Sequence, residues 1–199
     1  MKQILCATAL LALAACSPEP ADPSGNAQTL PAEANAPTPP IPPHMPQPRP
    51  SPGAVAANVL TLDGLGPLRI GEPVPANSSW AERGAQISDA CRTVSSPDFP
   101  GTYAIVEGGK VRRVTVGERS DVKLVEGIGV GATEAEVRAA FAGFRAEPHA
   151  YSESPAKYLT APNAPSGDPA LRFEIGQDGK VALIHVGTMP VLGYVEGCA

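Results

Sequence analysis

Prolines and aromatic residues divide this chain into two parts, and that division limits what can fold. All nine aromatic residues lie between Trp80 and Tyr194, whereas residues 17–55 hold 13 of the 24 prolines and no aromatic residue. A segment with so little apolar surface cannot offset the conformational entropy that folding removes. We therefore expect residues 16–55 to form a disordered, proline-rich tether, and residues 56–199 to form one domain around a single core.

The amino terminus has the pattern of a secretory signal peptide, residues 1–15. Lys2 precedes an apolar run of twelve, residues 4–15, which is too short to cross a bilayer and has the length of a signal-peptide core. The run ends in Leu-Ala-Ala-Cys, which resembles the lipobox of bacterial lipoproteins. That resemblance implies cleavage before Cys16 and its acylation with fatty acids such as palmitate. With Ser17 next, it also implies the outer membrane of a Gram-negative cell, on the periplasmic side. The alternative is an ordinary signal peptide cleaved at an A-x-A site, with Cys16 incidental.

Charge and motifs argue against several function classes. The net charge is -5 and the chain has no Lys/Arg cluster, so we expect no nucleic-acid partner. The segment 127–132 fits a relaxed dinucleotide fingerprint, but no alternation of strands and helices follows it. There is no G-x-S-x-G, H-E-x-x-H or C-x-x-C motif, and His149 and His185 have no sequence partner. We therefore expect no catalytic residue, metal site or cofactor, and a domain that is not an enzyme.

The four cysteines predict one disulfide. Cys6 leaves with the signal peptide and Cys16 is acylated, so Cys91 and Cys198 remain for an oxidising compartment. We expect them to pair and to close the carboxyl-terminal tail onto the domain. The alternative is two buried free thiols.

Two segments of the domain repeat one another. Residues 68–72 align with 128–132 at an offset of 60, and residues 106–111 align with 176–181 at an offset of 70. A loop insertion at 161–169 accounts for the difference. The domain is therefore interpreted as two degenerate repeats, residues 63–117 and 126–187.

Each repeat is predicted to end in an antiparallel hairpin. The turns are Gly108-Gly109 and Asp178-Gly179, residue pairs that tolerate the positive φ angles of a type I′ turn. One helix is predicted after Gly131, because Thr133 and Glu136 form a capping box. Val137, Ala140, Phe141 and Phe144 follow it at helical spacing.

These elements predict a domain of the α+β class. Each repeat is expected to contribute a helix and an antiparallel hairpin. The hairpins are expected to join into a small antiparallel sheet with the helices on one face, because each unit alone buries too little surface.

The segment 130–137, with Phe141 and Gly143, resembles a signature of small periplasmic modules. These are the outer-membrane-assembly lipoproteins of the SmpA/OmlA (BamE) type and the β-lactamase-inhibitor proteins. The resemblance implies a helical hairpin on a small antiparallel sheet, two tandem copies as in the inhibitor, and kinship with envelope lipoproteins. Because Ala132 replaces the usual Met and the first copy is degraded, no functional residue is carried over.

The face of the sheet opposite the helices is the predicted binding surface. Its expected residues are Arg112, Arg172 and Glu174, joined by Tyr151 and Tyr158 from loops. We expect a lipid-anchored envelope protein that binds a protein partner, in envelope assembly or hydrolase inhibition, since such surfaces mix polar and aromatic groups. The alternative is a glycan-binding module, lectin-like or peptidoglycan-binding, that stacks sugars on Trp80, Tyr151 and Tyr158.

Overall fold

A computed structural model describes residues 58–198. The predicted signal peptide, Cys16 and residues 16–55 of the predicted tether lie outside the described residues. Within that range the fold is mostly β, with twelve strands in two sheets and one α-helix. The prediction of an α+β fold built from two helix-plus-hairpin repeats is therefore wrong. No helix between residues 58 and 198 is long and apolar enough to cross a membrane.

The strands, in chain order, are β1 Val59–Thr61, β2 Gly64–Leu65, β3 Leu68–Arg69, β4 Ala81–Glu82, β5 Cys91–Ser95, β6 Thr102–Glu107, β7 Lys110–Val116, β8 Lys123–Leu124, β9 Arg145–Pro148, β10 Lys157–Thr160, β11 Ala170–Ile175 and β12 Val181–Gly187. The helix α1 spans Glu134–Ala140, and two 3₁₀ turns span Ala164–Ser166 and Val191–Gly193. The small sheet has the order β3-β2-β1-β8, and the large sheet has the order β4-β5-β6-β7-β12-β11-β10-β9.

The large sheet consists of two antiparallel halves that meet at its centre. We call β4–β7 the open half and β9–β12 the closed half. Strands β7 and β12 pair so that Thr115 lies opposite His185, with Val114 opposite Val186 on one side and Val116 opposite Ile184 on the other. This register places a local twofold axis at the Thr115–His185 pair, and the strand order on either side of it is the same.

The two hairpins lie inside these halves, but their turns differ. Gly108 and Gly109 have φ of 60° and 73°, as the type I′ turn requires. In the second hairpin only Gly179 has positive φ, at 73°, and the Gly176 amide donates to the Lys180 carbonyl across a longer loop. The type I′ prediction is confirmed at the first turn and wrong at the second.

The predicted helix is present in the closed half, although it ends at Ala140 before Phe141 and Phe144, and it is absent from the open half. Thr133 and Glu136 form the predicted capping box of α1. In the open half Pro73 and Pro75 occupy the corresponding stretch, and the chain turns where the Ser78 amide donates to the Pro75 carbonyl. Proline lacks an amide hydrogen and disfavours helical backbone in the residue before it. The repeat therefore holds for the strands only.

The apolar core lies on one face of the large sheet. The small sheet and α1 cover this face. The buried side chains include Leu60 and Leu65 from the small sheet, Val137 from α1, and Val114, Phe173 and Ile184 from the large sheet. Phe173 contacts Phe141 and Phe144, with ring centroids 5.5 and 5.8 Å apart. This aromatic cluster joins the end of α1 to the closed half.

The other face of the large sheet is crossed by residues 188–198, which we call the C-terminal strap. The strap starts where the Thr188 amide donates to the Arg112 carbonyl. It ends at the Cys91–Cys198 disulfide, whose Cα atoms are 5.5 Å apart. The predicted disulfide is thus present, and it fixes the tail over β5. The predicted binding face is therefore covered at its centre, because the disulfide carries the tail across it.

Candidate functional site

A layer of polar side chains lies at the centre of the large sheet, on the face beneath the strap. Thr115 and His185, the pair at the twofold axis, are joined by a 2.9 Å contact between Thr115 Oγ1 and His185 Nδ1. His185 Nε2 lies 3.6 Å from the Glu174 carboxylate, which also contacts His149 Nε2 at 2.6 Å. One half-buried carboxylate therefore bridges two imidazoles, one on the axis and one at the edge of the closed half.

Burial and hydrogen bonding shift the pKa values of His185 and Glu174 in this layer. Burial lowers the pKa of His185 to about 4, although the hydrogen bond to Glu174 acts in the opposite direction. Burial alone would raise the pKa of Glu174, but hydrogen bonds from His185 and His149 outweigh it and hold that pKa below its usual range. At neutral pH the layer thus contains a neutral His185 beside an ionised Glu174.

Two arginines complete the polar layer. Arg113 is 1% exposed, and its Nη1 donates to the carbonyl oxygens of Val191 and Tyr194 at 3.1 and 2.5 Å. Its buried Nε has no hydrogen-bond partner among the described residues. Arg172 lies 4.1 Å from the centroid of the Tyr158 ring, on which His149 also stacks at 4.8 Å. Arg113 therefore holds the strap, and Arg172 belongs to a stacked polar and aromatic group.

The structure brings together only part of the predicted binding surface. Arg172, Glu174 and Tyr158 share the polar layer, but Arg172 and Tyr158 are 8% and 5% exposed. Tyr151 is exposed and donates from its hydroxyl to Glu196 of the strap. Arg112 is the extra residue of a β-bulge, since Val106 pairs with Val111 and Ile105 with Arg113.

Sequence reasoning missed Arg113, Thr115 and His149 as members of this layer. The alternation of Thr115 with Val114 and Val116 was the available signal, since it places the threonine on the face opposite the core. The bulge removes that signal at Arg113, because an extra residue shifts which side chains point inward. No local pattern marks His149.

Trp80 lies on the opposite, core-facing side of the sheet and borders a cavity. It is 4% exposed and stacks on Phe99 with ring centroids 5.6 Å apart. Its indole Nε1 is buried and has no hydrogen-bond partner within residues 58–198. The cavity has a volume of about 480 Å³, and its lining includes Val74, Val94, Val106, Gly109 and the charged residues Glu82 and Arg92. We call it the Trp80 cavity.

The rim of the Trp80 cavity is charged and exposed. Arg92 Nη1 lies 2.6 Å from Glu82, and Arg92 Nη2 lies 3.3 Å from Asp89. The Glu82 contacts raise the pKa of Arg92 most, and those of Asp89 add to them. Exposed ion pairs contribute little stability, so this rim can exchange partners readily. An apolar floor with a polar rim is the common anatomy of a protein-binding site.

A second cleft of about 500 Å³ lies between the small sheet and the end of α1. Its lining includes Leu60, Leu124, Phe141 and Phe144. Leu62 and Val125, which also line it, are 45% and 71% exposed. Unlike the Trp80 cavity, this cleft is bordered by no buried side-chain N or O atom that lacks a partner within residues 58–198.

Within the range that the structure covers, no group of three or more His, Cys, Asp or Glu side chains is arranged to hold a metal ion. No family model, curated protein or solved structure matches the chain.

Proposed function

We propose that the chain is a lipid-anchored protein of the outer membrane, facing the periplasm, whose domain binds a protein partner and does not transform a substrate. The Leu-Ala-Ala-Cys motif ending at Cys16 supports the anchor, and its resemblance to the lipobox supports the compartment. The observation that carries the binding role is the Trp80 cavity, which combines an apolar floor with an exposed charged rim.

The polar layer supports binding over catalysis. Thr115, His185 and Glu174 form the arrangement that most resembles a nucleophile, base and acid, but Thr115 is fully buried and His185 is 4% exposed beneath the strap. Thr115 Oγ1 also contacts His185 Nδ1, and His185 Nε2 lies 3.6 Å from the Glu174 carboxylate. A general base needs to reach the proton that it abstracts from a substrate. This layer therefore serves to hold the two halves and the strap together.

The glycan alternative receives less support. Sugar stacking needs an open aromatic face, but Trp80 stacks on Phe99 and Tyr158 lies between His149 and Arg172. Of the three aromatic residues proposed as stacking faces, only Tyr151 is exposed. One aromatic side chain provides a small platform for a sugar.

Photo-crosslinking in intact cells tests the binding role. A photoreactive amino acid is placed at Ala90, which is exposed and borders the Trp80 cavity, and at Ala85, which is exposed and lies outside its lining. We expect a discrete protein adduct from Ala90 and none from Ala85. Equal adducts from both positions, or none from either, would refute the proposal. Glycan-array binding that is lost in Tyr151→Ala, without an adduct from Ala90, would establish the alternative.

Substitution of Cys16 tests the anchor. Cys16→Ser should abolish palmitate labelling and leave the chain soluble or unprocessed, because several acyl chains provide the durable attachment. Ser17→Ala is the matched control and should keep the label. Membrane association that is undiminished in Cys16→Ser would contradict the proposed anchor.

A further inference from the structure

The two halves of the large sheet show what the Trp80 cavity lacks. In the closed half the Gly131 amide donates to the Val181 carbonyl, and the Val181 amide donates to the Ala132 carbonyl, each at 2.8 Å. In the open half the same two bonds join Gly71 and Glu72 to Val111, again at 2.8 Å. The chain then enters α1 after Ala132, but enters the proline-containing stretch after Glu72. The halves therefore match up to the residue where the helix begins.

Strand pairing identifies equivalent positions in the two halves. Val106 pairs with Val111, and Ile175 pairs with Val181, so Val106 is equivalent to Ile175. The next strands follow the same rule. Arg92 opposite Val106 is equivalent to Lys157 opposite Ile175, and Val94 opposite Ala104 is equivalent to Leu159 opposite Phe173.

In the closed half these positions hold α1. Lys157 Nζ donates to Glu134 at the start of the helix at 2.9 Å, and the Glu134 amide donates to the Gly179 carbonyl at 2.9 Å. Val137 of the helix is fully buried in the core that also contains Leu159 and Ile175. The helix is thus held by an ion pair, by a backbone hydrogen bond and by packing on apolar side chains of the sheet.

In the open half the equivalents of those groups line the cavity. Arg92 is equivalent to Lys157, and Gly109 in the turn is equivalent to Gly179. Val94 and Val106 are equivalent to Leu159 and Ile175. The position equivalent to Phe173 holds the much smaller Ala104 in the open half. The Trp80 cavity therefore lies where a helix docks in the other half.

The charge of the rim indicates which helix fits. Arg92 is already paired with Glu82, which takes the place that Glu134 of α1 has beside Lys157. The rim carries two carboxylates, Glu82 and Asp89, against one guanidinium. Asp89 has a fully exposed side chain. A basic side chain on the incoming segment completes this set, whereas an acidic one meets like charge.

On the basis of the proposed function, we infer that the Trp80 cavity receives one short amphipathic helix of the protein partner. Its apolar side chains, spaced four apart like Val137 and Phe141, pack on Val94 and Val106, and a basic side chain faces Glu82 and Asp89. This is helix-in-groove recognition, in which a few apolar anchors give affinity and the rim gives specificity.

Binding of a helical peptide to the full chain in detergent micelles tests the inference. The probe is a synthetic peptide of residues 133–144, with a side-chain crosslink between positions 135 and 139 because so short a helix is marginal in water. A second version carries Glu134→Lys and Glu136→Lys. Trp80 is the only tryptophan, so its indole N–H gives one NMR signal at the site. We expect both peptides to shift this signal, with about fivefold tighter binding of the basic version.

Two variants of the chain control the site. Ala90→Phe, at the mouth of the cavity, should abolish the shift, and Ala85→Phe should leave it unchanged. A shift that survives Ala90→Phe, no shift with either peptide, or tighter binding of the acidic peptide would overturn the inference. A change in the Trp80 signal on deleting residues 17–55 would assign the cavity to the tether. A change on dilution without peptide would assign it to a second copy, and either result also overturns the inference.

The peptide and crosslinking experiments can fail separately. A protein adduct from Ala90 without peptide binding leaves the binding function standing and refutes the helical occupant. Peptide binding without an adduct in cells supports the helical preference of the cavity and refutes the proposed function.

Discussion

The open and closed halves of the large sheet share their strand order, their β-bulge and the hydrogen bonds that precede the helix, yet only the closed half is filled by its own chain. There α1, Phe141 and Phe144 cover the apolar face around Phe173. In the open half Trp80 and Phe99 cover part of that face and leave a cavity with a charged rim. The difference shows that one strand scaffold can provide packing in one half and a surface for a partner in the other.

Removing Phe173 should make the closed half resemble the open half, where Ala104 occupies the equivalent position. Phe173 is fully buried against Phe141 and Phe144, so Phe173→Ala should lower the free energy of unfolding by about 3–5 kcal/mol. Urea denaturation measures this loss. Tyr151→Ala, at an exposed position, is the control and should change the value by less than about 0.5 kcal/mol. A loss below about 1 kcal/mol for Phe173→Ala would mean that the closed half is not tightly filled.

The disulfide joins the open half to the strap, which also accepts two hydrogen bonds from Arg113 of the polar layer. Replacing Cys91 and Cys198 by Ala should cost about 2–4 kcal/mol, because the crosslink restricts the unfolded chain over a separation of 107 residues. Thermal unfolding of the oxidised chain, with and without reductant, measures the same effect. Equal melting temperatures, or two alkylatable thiols in the native oxidised chain, would contradict it.

The axis between the halves should make stability depend on pH. The pKa of His185 is lowered from 6.5 to about 4 in the folded chain, so the unfolded chain takes up a proton first as the pH falls. The free energy of unfolding should therefore be highest above pH 6.5 and fall by up to about 3 kcal/mol on going to pH 4. The lowered pKa of Glu174 acts in the same direction at the acid end.

His185→Gln separates the two contributions. The variant should be less stable at pH 7, but its stability should fall less between pH 6.5 and 5 than that of the parent chain, because His185 no longer takes up a proton. If the free energy of unfolding depends on pH equally in the variant and the parent chain over that interval, the pKa of His185 is not lowered by burial in the folded chain.

Part of this architecture follows from sequence because its causes are local. Thr133 and Glu136 cap a helix three residues apart, Gly108 and Gly109 permit one turn, and two remaining cysteines leave one pairing. The α+β prediction is wrong because only the closed half contains the helix, since Pro73 and Pro75 exclude it from the open half. The strands β2, β3, β4 and β8 have two residues each, which is too short for alternation to show.

The candidate site was harder to predict because it depends on contacts distant in sequence. The Trp80 cavity lies on β5 and β6, which are equivalent to β10 and β11 beneath the helix. This equivalence is visible only once the pairing of the strands is known. Arg172 and Glu174 alternate with apolar residues as they would on an exposed sheet face, but Tyr158 packs on Arg172, and His149 and His185 contact Glu174. No local pattern shows that a tail bound through Cys198 will cross that face.

Enlarging equivalent side chains tests most directly whether one half is open and the other filled. Val106 borders the cavity and Ile175, its equivalent, is fully buried. Urea denaturation of Val106→Phe should show a free energy of unfolding within about 0.5 kcal/mol of the parent chain, because the ring enters existing space. Ile175→Phe should cost about 1–3 kcal/mol through overpacking. Equal costs for the two variants, or a larger cost for Val106→Phe, would contradict the account.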